Sequence, residues 1–342
     1  MLTPIVPFGT ARDGRPVEKV LLRRGRLEAE VMTLGATVLS LRVPDSSGRP
    51  VDVVLGWNCP AAYEENGGYL GMLVGRYANR IAGARCVIDG AEFALTPNEG
   101  TKQLHGGPAG FSFQIFRPEI IDEGAVIFHY TAPDGENGFP GALRLDATYT
   151  LTEEGLSIRY RAETDRPTLC NLTNHSYFNL NGGGTALGHL LWADADSYTP
   201  VDADSIPTAL SAPAAGTPFD FTAEKPIGRD IGSDCEQIRL TGGYDHNLVL
   251  RLRPGLRLAA RLTGEKSGIV METWTDQPGV QLYTANFLSD DPRTRTGVPY
   301  AKRDGVCLET QLPPDSPNHP EWGDCILRPG QIYERTTEYR FR

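Results

Sequence analysis

Short runs in which apolar and polar residues alternate recur along this whole chain, and a period of two is the mark of half-buried β-strands. Residues 27–41 read as two strands around Gly35, and residues 51–55 as another. Residues 86–88 and 91–93 flank Asp89-Gly90, a two-residue turn whose positions both tolerate positive φ, so a hairpin is expected there. Residues 145–151 and 156–160, joined through Glu153-Glu154-Gly155, predict a second hairpin. Further strand-type runs cover residues 126–130, 247–252, 256–262, 269–275, 280–286, 305–311 and 333–341. Helical periodicity is scarce, residues 60–66 being its best and a short instance. Many short strands between Gly and Pro turns, without a strand-then-helix rhythm, predict an all-β protein. The expected architecture is one large antiparallel β-sandwich over residues 1–342 with few short helices. No fixed-period repeat points to a propeller or solenoid. Residues 202–234, rich in Pro, Ala, Gly and Asp, read as a surface excursion rather than a linker, because strands of unchanged character resume after them.

Within this pattern residues 168–180, TLCNLTNHSYFNL, stand out for their density of polar and aromatic side chains. Read as a strand, they place Leu169, Asn171, Thr173, His175, Tyr177 and Asn179 on one face and packing residues on the other. Amides, hydroxyls, an imidazole and an aromatic ring in one row suit a neutral, hydroxyl-rich ligand such as a sugar. A lone His in a strand is more often a hydrogen-bonded structural residue, so the remaining candidates decide the reading.

Composition narrows the partner. With 33 basic against 43 acidic residues the net charge is -10, which opposes nucleic acid and anionic membranes and favours a neutral small molecule. The six cysteines show no C-x-x-C pairing and read as reduced thiols. Residues 1–10 lack a signal-peptide pattern and no run of about 18 apolar residues occurs, so a cytoplasmic protein is expected.

Polar candidates cluster in five places. Residues 75–81, GRYANRI, bring two guanidinium groups and an amide together, and residues 98–107 end in His105-Gly106-Gly107, where the backbone can approach a ligand closely. The segment around His175 is the third, and Tyr244-Asp245-His246-Asn247 the fourth. In residues 306–311, VCLETQ, alternation sets Val306 and Leu308 against Glu309 and Gln311, so that the Glu309 carboxylate can face a cleft. Taken singly, each has a structural reading: surface ion pairs for the arginines, turns for the glycines, local caps for residues 244–247. Metal ligation by His105, His175, His246 and Asp245 lacks H-E-x-x-H or H-x-H spacing, and no G-x-S-x-G elbow supports a serine nucleophile.

Taken together and in order, GRYANRI at 75–81, LHGG at 104–107, LTNHSYFNL at 172–180, GTPFD at 216–220, YDHN at 244–247 and LETQ at 308–311 closely resemble the aldose 1-epimerases, the galactose mutarotases. So do PNHP at 317–320 and LRPG at 327–330. The resemblance spans essentially the whole chain. It implies a mutarotase-type supersandwich that binds an aldose in a cleft and needs neither cofactor nor metal. Matched residue by residue, Glu309 resembles the general base and His175 the general acid. His105, Arg76 and Asp245 match residues that position the sugar, Asn79 lies in the same arginine-bearing motif, and Tyr177 and Gln281 would line the cleft. Cys307 and Cys170, beside the catalytic positions, read as local packing variation, and residues 209–215 obscure the alignment ahead of Phe219-Asp220.

The implied activity is interconversion of α and β anomers of free aldohexoses such as galactose and glucose. A base takes the C1 hydroxyl proton while an acid protonates the ring oxygen. For His175 to serve as acid its pKa would have to be raised, with Asp245 or Glu309 as the expected cause. A monomer or weak homodimer is the expected assembly. Two other readings stay open at this stage: a non-catalytic sugar-binding protein on the same scaffold, and a metal-dependent β-barrel isomerase or dioxygenase. Arg76 and Arg80 belong to the shared motif and give no evidence for a phosphate pocket.

Overall fold

The computed structural model describes residues 4–288 and 290–342, so the first three positions of the 1–10 stretch lie outside it. Nine strands build the largest sheet, in the spatial order Arg117–Asp122, Ala125–Ala132, Leu143–Leu151, Gly155–Thr164, Tyr333–Phe341, Val270–Thr275, Arg257–Thr263, Leu190–Ala193 and Lys225–Pro226. Every neighbouring pair is antiparallel. A six-stranded sheet runs Tyr177–Phe178, Val306–Gln311, Gly279–Tyr283, Asp245–Leu250, Ala195–Tyr198, Ala212–Pro213. The first five strands, Ile5–Thr10 to Pro50–Asp52, form a meander. Both expected hairpins are present, Arg85–Ile88 with Ala91–Ala94 and Leu143–Leu151 with Gly155–Thr164. The tight turn of the first works because Asp89 and Gly90 both adopt positive φ, 52° and 81°.

Alternation decides which faces meet. In Leu143–Leu151 every second residue from Leu143 to Leu151 is buried, and these side chains enter one core cluster that extends from Val20 to Tyr339. Tyr339 of the nine-stranded sheet packs its ring 4.7 Å from Phe178 of the six-stranded sheet, and Thr310 hydrogen-bonds Thr337 across the same gap. The layers are thus a sandwich. Among the described residues α-helix is limited to Pro60–Glu65, within the expected 60–66, and Glu236–Thr241, which was not anticipated. Among the described residues no helix is long and apolar enough to cross a membrane.

The 168–180 run departs from its expected form. Instead of one strand it makes three two-residue pairings: Thr168–Leu169 with Ile326–Leu327, Thr173–Asn174 with Leu73–Val74, and Tyr177–Phe178 with Val306–Gln311. All thirteen residues are buried, so there is no polar face and packing face to distinguish. Side-chain amides replace the missing ladder: Asn174 donates to the Gly71 carbonyl at 2.8 Å, Asn171 accepts from the Leu312 N–H at 3.0 Å, and Asn179 donates to the Gly184 carbonyl at 2.6 Å. Asn171 and Asn179 are therefore structural, whereas His175 and Tyr177 reach a cleft.

The 202–234 region contributes the Ala212–Pro213 and Lys225–Pro226 pairings, an isolated bridge from Pro207 to Val201 and one 3-10 turn. It docks on the body where Lys102 donates to the Asp204 carbonyl at 2.8 Å.

Candidate active site

His175 sits where the chain passes from one pairing to the next, held by its N–H to the Met72 carbonyl and by the Gly71 N–H to its own carbonyl, both 2.9 Å. Glu309 lies in Val306–Gln311, a strand buried at all six positions. Nε2 of His175 is 3.5 Å from Oε1 of Glu309, and Oε2 of Glu309 is buried without a hydrogen-bond partner. The pair stands in a cleft of 190 Å³ whose lining also includes His105, Asn79, Arg80, Asp245 and Tyr177. A larger hollow of 580 Å³ shares no residue with this cleft and offers no imidazole.

Two left-handed residues aim the polar groups. Asn79 and His105 have φ of 65° and 54°, and the Asn79 N–H donates to Nδ1 of His105 at 3.1 Å. Such strain in non-glycine residues is characteristic of functional sites. Gly106 permits the arrangement, since a Cβ there would lie 1.9 Å from the Gly75 carbonyl oxygen. The close approach expected at His105-Gly106-Gly107 is thus to the neighbouring backbone rather than to a ligand.

The turn at Asn79 also corrects one assignment. Arg76 and Arg80 share strand parity, but the left-handed residue between them sends the second to the cleft and the first away. Arg76 is 1% exposed and donates Nη1 to the carbonyls of Pro140 and Gly141 and to the Thr168 hydroxyl, at 3.1, 2.8 and 3.1 Å. It is absent from the cleft lining. Arg80 occupies that place, bound bidentately to Glu99 at 2.7 and 2.9 Å and 3.8 Å from Asp245. Gln281 is likewise behind the cleft rather than in its lining, donating to Oδ1 of Asp245 at 2.7 Å. Tyr69, Tyr283 and Phe287 line the cleft and were not anticipated. Tyr69 is visible only in the fold, where a left-handed backbone, φ 55°, sets its ring 4.7 Å from that of His105.

Electrostatics follow from burial. Desolvation pushes Glu309 well above the usual carboxylate range, the Asp245 charge adds to the rise, and Arg80 opposes it. Desolvation also lowers His175 to about 4, and takes His105 well below its ordinary value. The expected elevation of His175 by Asp245 is therefore not what the geometry produces. Asp245 is engaged by Gln281 and Arg80 and acts on Glu309 instead. Burial thus favours the uncharged form of each partner.

His105, His175 and Glu309 bring donor atoms within 4.8 Å of one another, close enough to suggest a metal site. The tautomer of His105 argues against that fit. Its Nδ1 accepts the Asn79 N–H, so the neutral ring carries hydrogen on Nε2, whereas a metal-bound imidazole donates from its second nitrogen. His105 suits donation to a ligand oxygen better than coordination.

The chain matches the family described as aldose 1-epimerase over residues 18–340. This chain belongs to the aldose 1-epimerase family. Among its relatives, the galactose mutarotase of Mus musculus is 41% identical over 330 residues, covering 96% of this chain and 95% of that protein. The aldose 1-epimerase of Escherichia coli strain K12 is 40% identical over 337 residues, 97% of each chain. Among solved structures, an aldose epimerase homologue from C. elegans superposes with TM-score 0.87 at 30% identity, covering 99% of both chains. A galactose 1-epimerase from Lactobacillus acidophilus gives 0.86 at 30% identity over 100% of this chain and 99% of its own. The antiparallel sandwich of this epimerase is thus that of the mutarotase fold.

Proposed function

We propose that Glu309 and His175 are the base and acid with which this chain carries out its reaction. The chain is an aldose 1-epimerase, an isomerase that interconverts α and β anomers. Galactose and glucose are the substrates this reading assigns to it. Glu309 takes the proton of the anomeric hydroxyl as His175 protonates the ring oxygen. The C1–O5 bond opens to the aldehyde, C1–C2 rotates, and closure on the other face reverses both transfers. Holding both groups against one sugar in a dry cleft supplies the effective concentration that solution lacks.

One observation carries the reading: a carboxyl group and an imidazole 3.5 Å apart in the cleft, with Oε2 of Glu309 left without a hydrogen-bond partner. Hydroxyl donors favour the ionised carboxylate, so a bound sugar draws the shared proton from Glu309 to His175 and charges the acid. Arg80, Asp245 and Nε2–H of His105 supply the donors and acceptors for the remaining hydroxyls, with Asn79 and Gln281 holding His105 and Asp245 in place. Tyr177 walls the cleft and is fixed by its hydroxyl donating to the Gly68 carbonyl at 2.7 Å.

The same reading takes residues 1–342 as one domain, supported by the core that extends from Val20 to Tyr339. It takes the protein as a cytoplasmic monomer or weak homodimer without nucleic-acid or membrane partners. Six free cysteines and a net charge of -10 support the compartment and the exclusion of polyanions. Polarimetry of freshly dissolved α-D-galactose and α-D-glucose tests the function. Accelerated approach to anomeric equilibrium is expected, and sugar binding without acceleration would leave a carbohydrate-binding protein in its place.

A further inference from the structure

Two positions apart on one strand, Cys307 and Glu309 project to the same side, and each meets a different nitrogen of one ring. Sγ of Cys307 lies 3.5 Å from Nδ1 of His175, and Oε1 of Glu309 lies 3.5 Å from Nε2. The other groups facing His175 are rings: Tyr69 and Tyr177 stack on it at centroid distances of 6.1 and 5.1 Å, and Tyr283 and His105 meet it edgewise at 6.1 and 5.3 Å. Cys307 is fully buried and absent from the cleft lining, so its thiol faces the ring and no ligand. Packing variation, the role its sequence position suggests, does not account for that contact.

We propose that Cys307 is a positioning residue for the acid–base pair, its thiol holding Nδ1 of His175 in both protonation states and so keeping Nε2 aimed between Glu309 and the sugar. The inference rests on the acid–base reading above. During a turnover the transferred proton leaves and returns at Nε2, so Nδ1 keeps its hydrogen in both states and needs an acceptor in each. A carboxylate beside Nδ1 would trap the imidazolium. A thiol sulfur accepts weakly, so it holds the Nδ1–H without fixing the ring in its charged form. Burial pushes the Cys307 thiol well above its ordinary range, with Glu309 and Asp245 adding to the rise, so the S–H is retained.

The test compares Cys307→Ala, Cys307→Val and Cys307→Ser by steady-state anomer exchange and by 15N spectra of the labelled His175 ring. In the alanine and valine variants kcat is expected to fall about tenfold, part of the ~10²–10⁴-fold that a placed acid or base supplies. KM should stay within about twofold, because ground-state contacts to the sugar are intact. Ring nitrogens that report one tautomer in the native protein should report a mixture in these variants, and serine should restore both kcat and the spectrum. Valine fills most of the thiol's volume, so native kcat and a native ring spectrum in that variant would overturn the proposal. Equal loss in serine and alanine with unchanged ring shifts would overturn it too, leaving the thiol a packing role. If the native protein itself fails to speed anomer exchange, the acid–base reading falls instead, so the two failures are distinguishable.

Discussion

Nε2 of His175 and Oε1 of Glu309 stand 3.5 Å apart with the two residues only 5% and 2% exposed. At that separation, in so little water, the two groups titrate as one unit, and the number of protons on the pair matters more than which atom carries one. The active form holds a single proton, so kcat/KM should rise and fall with pH, one limb reporting loss of the second proton and the other loss of the last.

Asp245 should control the alkaline limb of that profile, the limb on which the raised Glu309 loses the last proton. Its charge raises Glu309 and is not among the influences on His175. Replacing it by asparagine removes a negative neighbour, makes Glu309 easier to ionise and lowers its pKa. For Asp245→Asn the alkaline limb is therefore expected at lower pH than in the native enzyme, with the acid limb in place and the rate reduced. An acid limb that moves instead would make Asp245 the tuner of His175.

Arg80 and Arg76 should separate cleanly. Arg80→Gln removes a charge-assisted donor from the cleft, and at ~1.5–3 kcal/mol for such a bond KM should rise about 10–100-fold in a protein of near-native melting temperature. Arg76→Gln leaves the Pro140 and Gly141 carbonyls short of a donor. It should cost about 1–3 kcal/mol of stability by denaturant unfolding with KM little changed. The opposite pattern, KM responding to Arg76 and stability to Arg80, would reverse the correction.

Alternation and turn chemistry carried most of the fold. Asp89-Gly90 marked a hairpin because both positions tolerate the positive φ of a two-residue turn, and the alternating runs 145–151 and 156–160 around Glu153-Glu154-Gly155 marked a second, which the structure extends to 143–164. Glu309 and His175 were likewise legible from motif order. What failed was the choice between two arginines of one motif: the resemblance matched Arg76 to the sugar-positioning residue, and only the fold, turned at Asn79 with φ 65°, brings Arg80 to the cleft instead. The 168–180 run, read as one strand, misled because its amides bond to backbone that a strand would have paired with another strand. The direction of the His175 shift was hidden too, because burial is a property of the whole fold and no local residue announces it.

Removal of divalent ions should leave the rate unchanged. His105 cannot both accept the Asn79 N–H at Nδ1 and coordinate through Nε2 without losing its remaining ring proton. After exhaustive EDTA treatment and dialysis, anomer exchange is expected at the untreated rate, with elemental analysis finding no stoichiometric transition metal. Loss of activity that zinc or manganese restores would show that the cleft works as a metal site.

Glu309→Gln and His175→Asn, assayed by polarimetry on α-D-galactose and α-D-glucose, test the central claim most directly. Each variant is expected to bind sugar and to lose ~10²–10⁴-fold in kcat, the range a positioned acid or base contributes. A rate near that of the native protein in either variant would contradict the assignment of that residue and, with it, the acid–base pair.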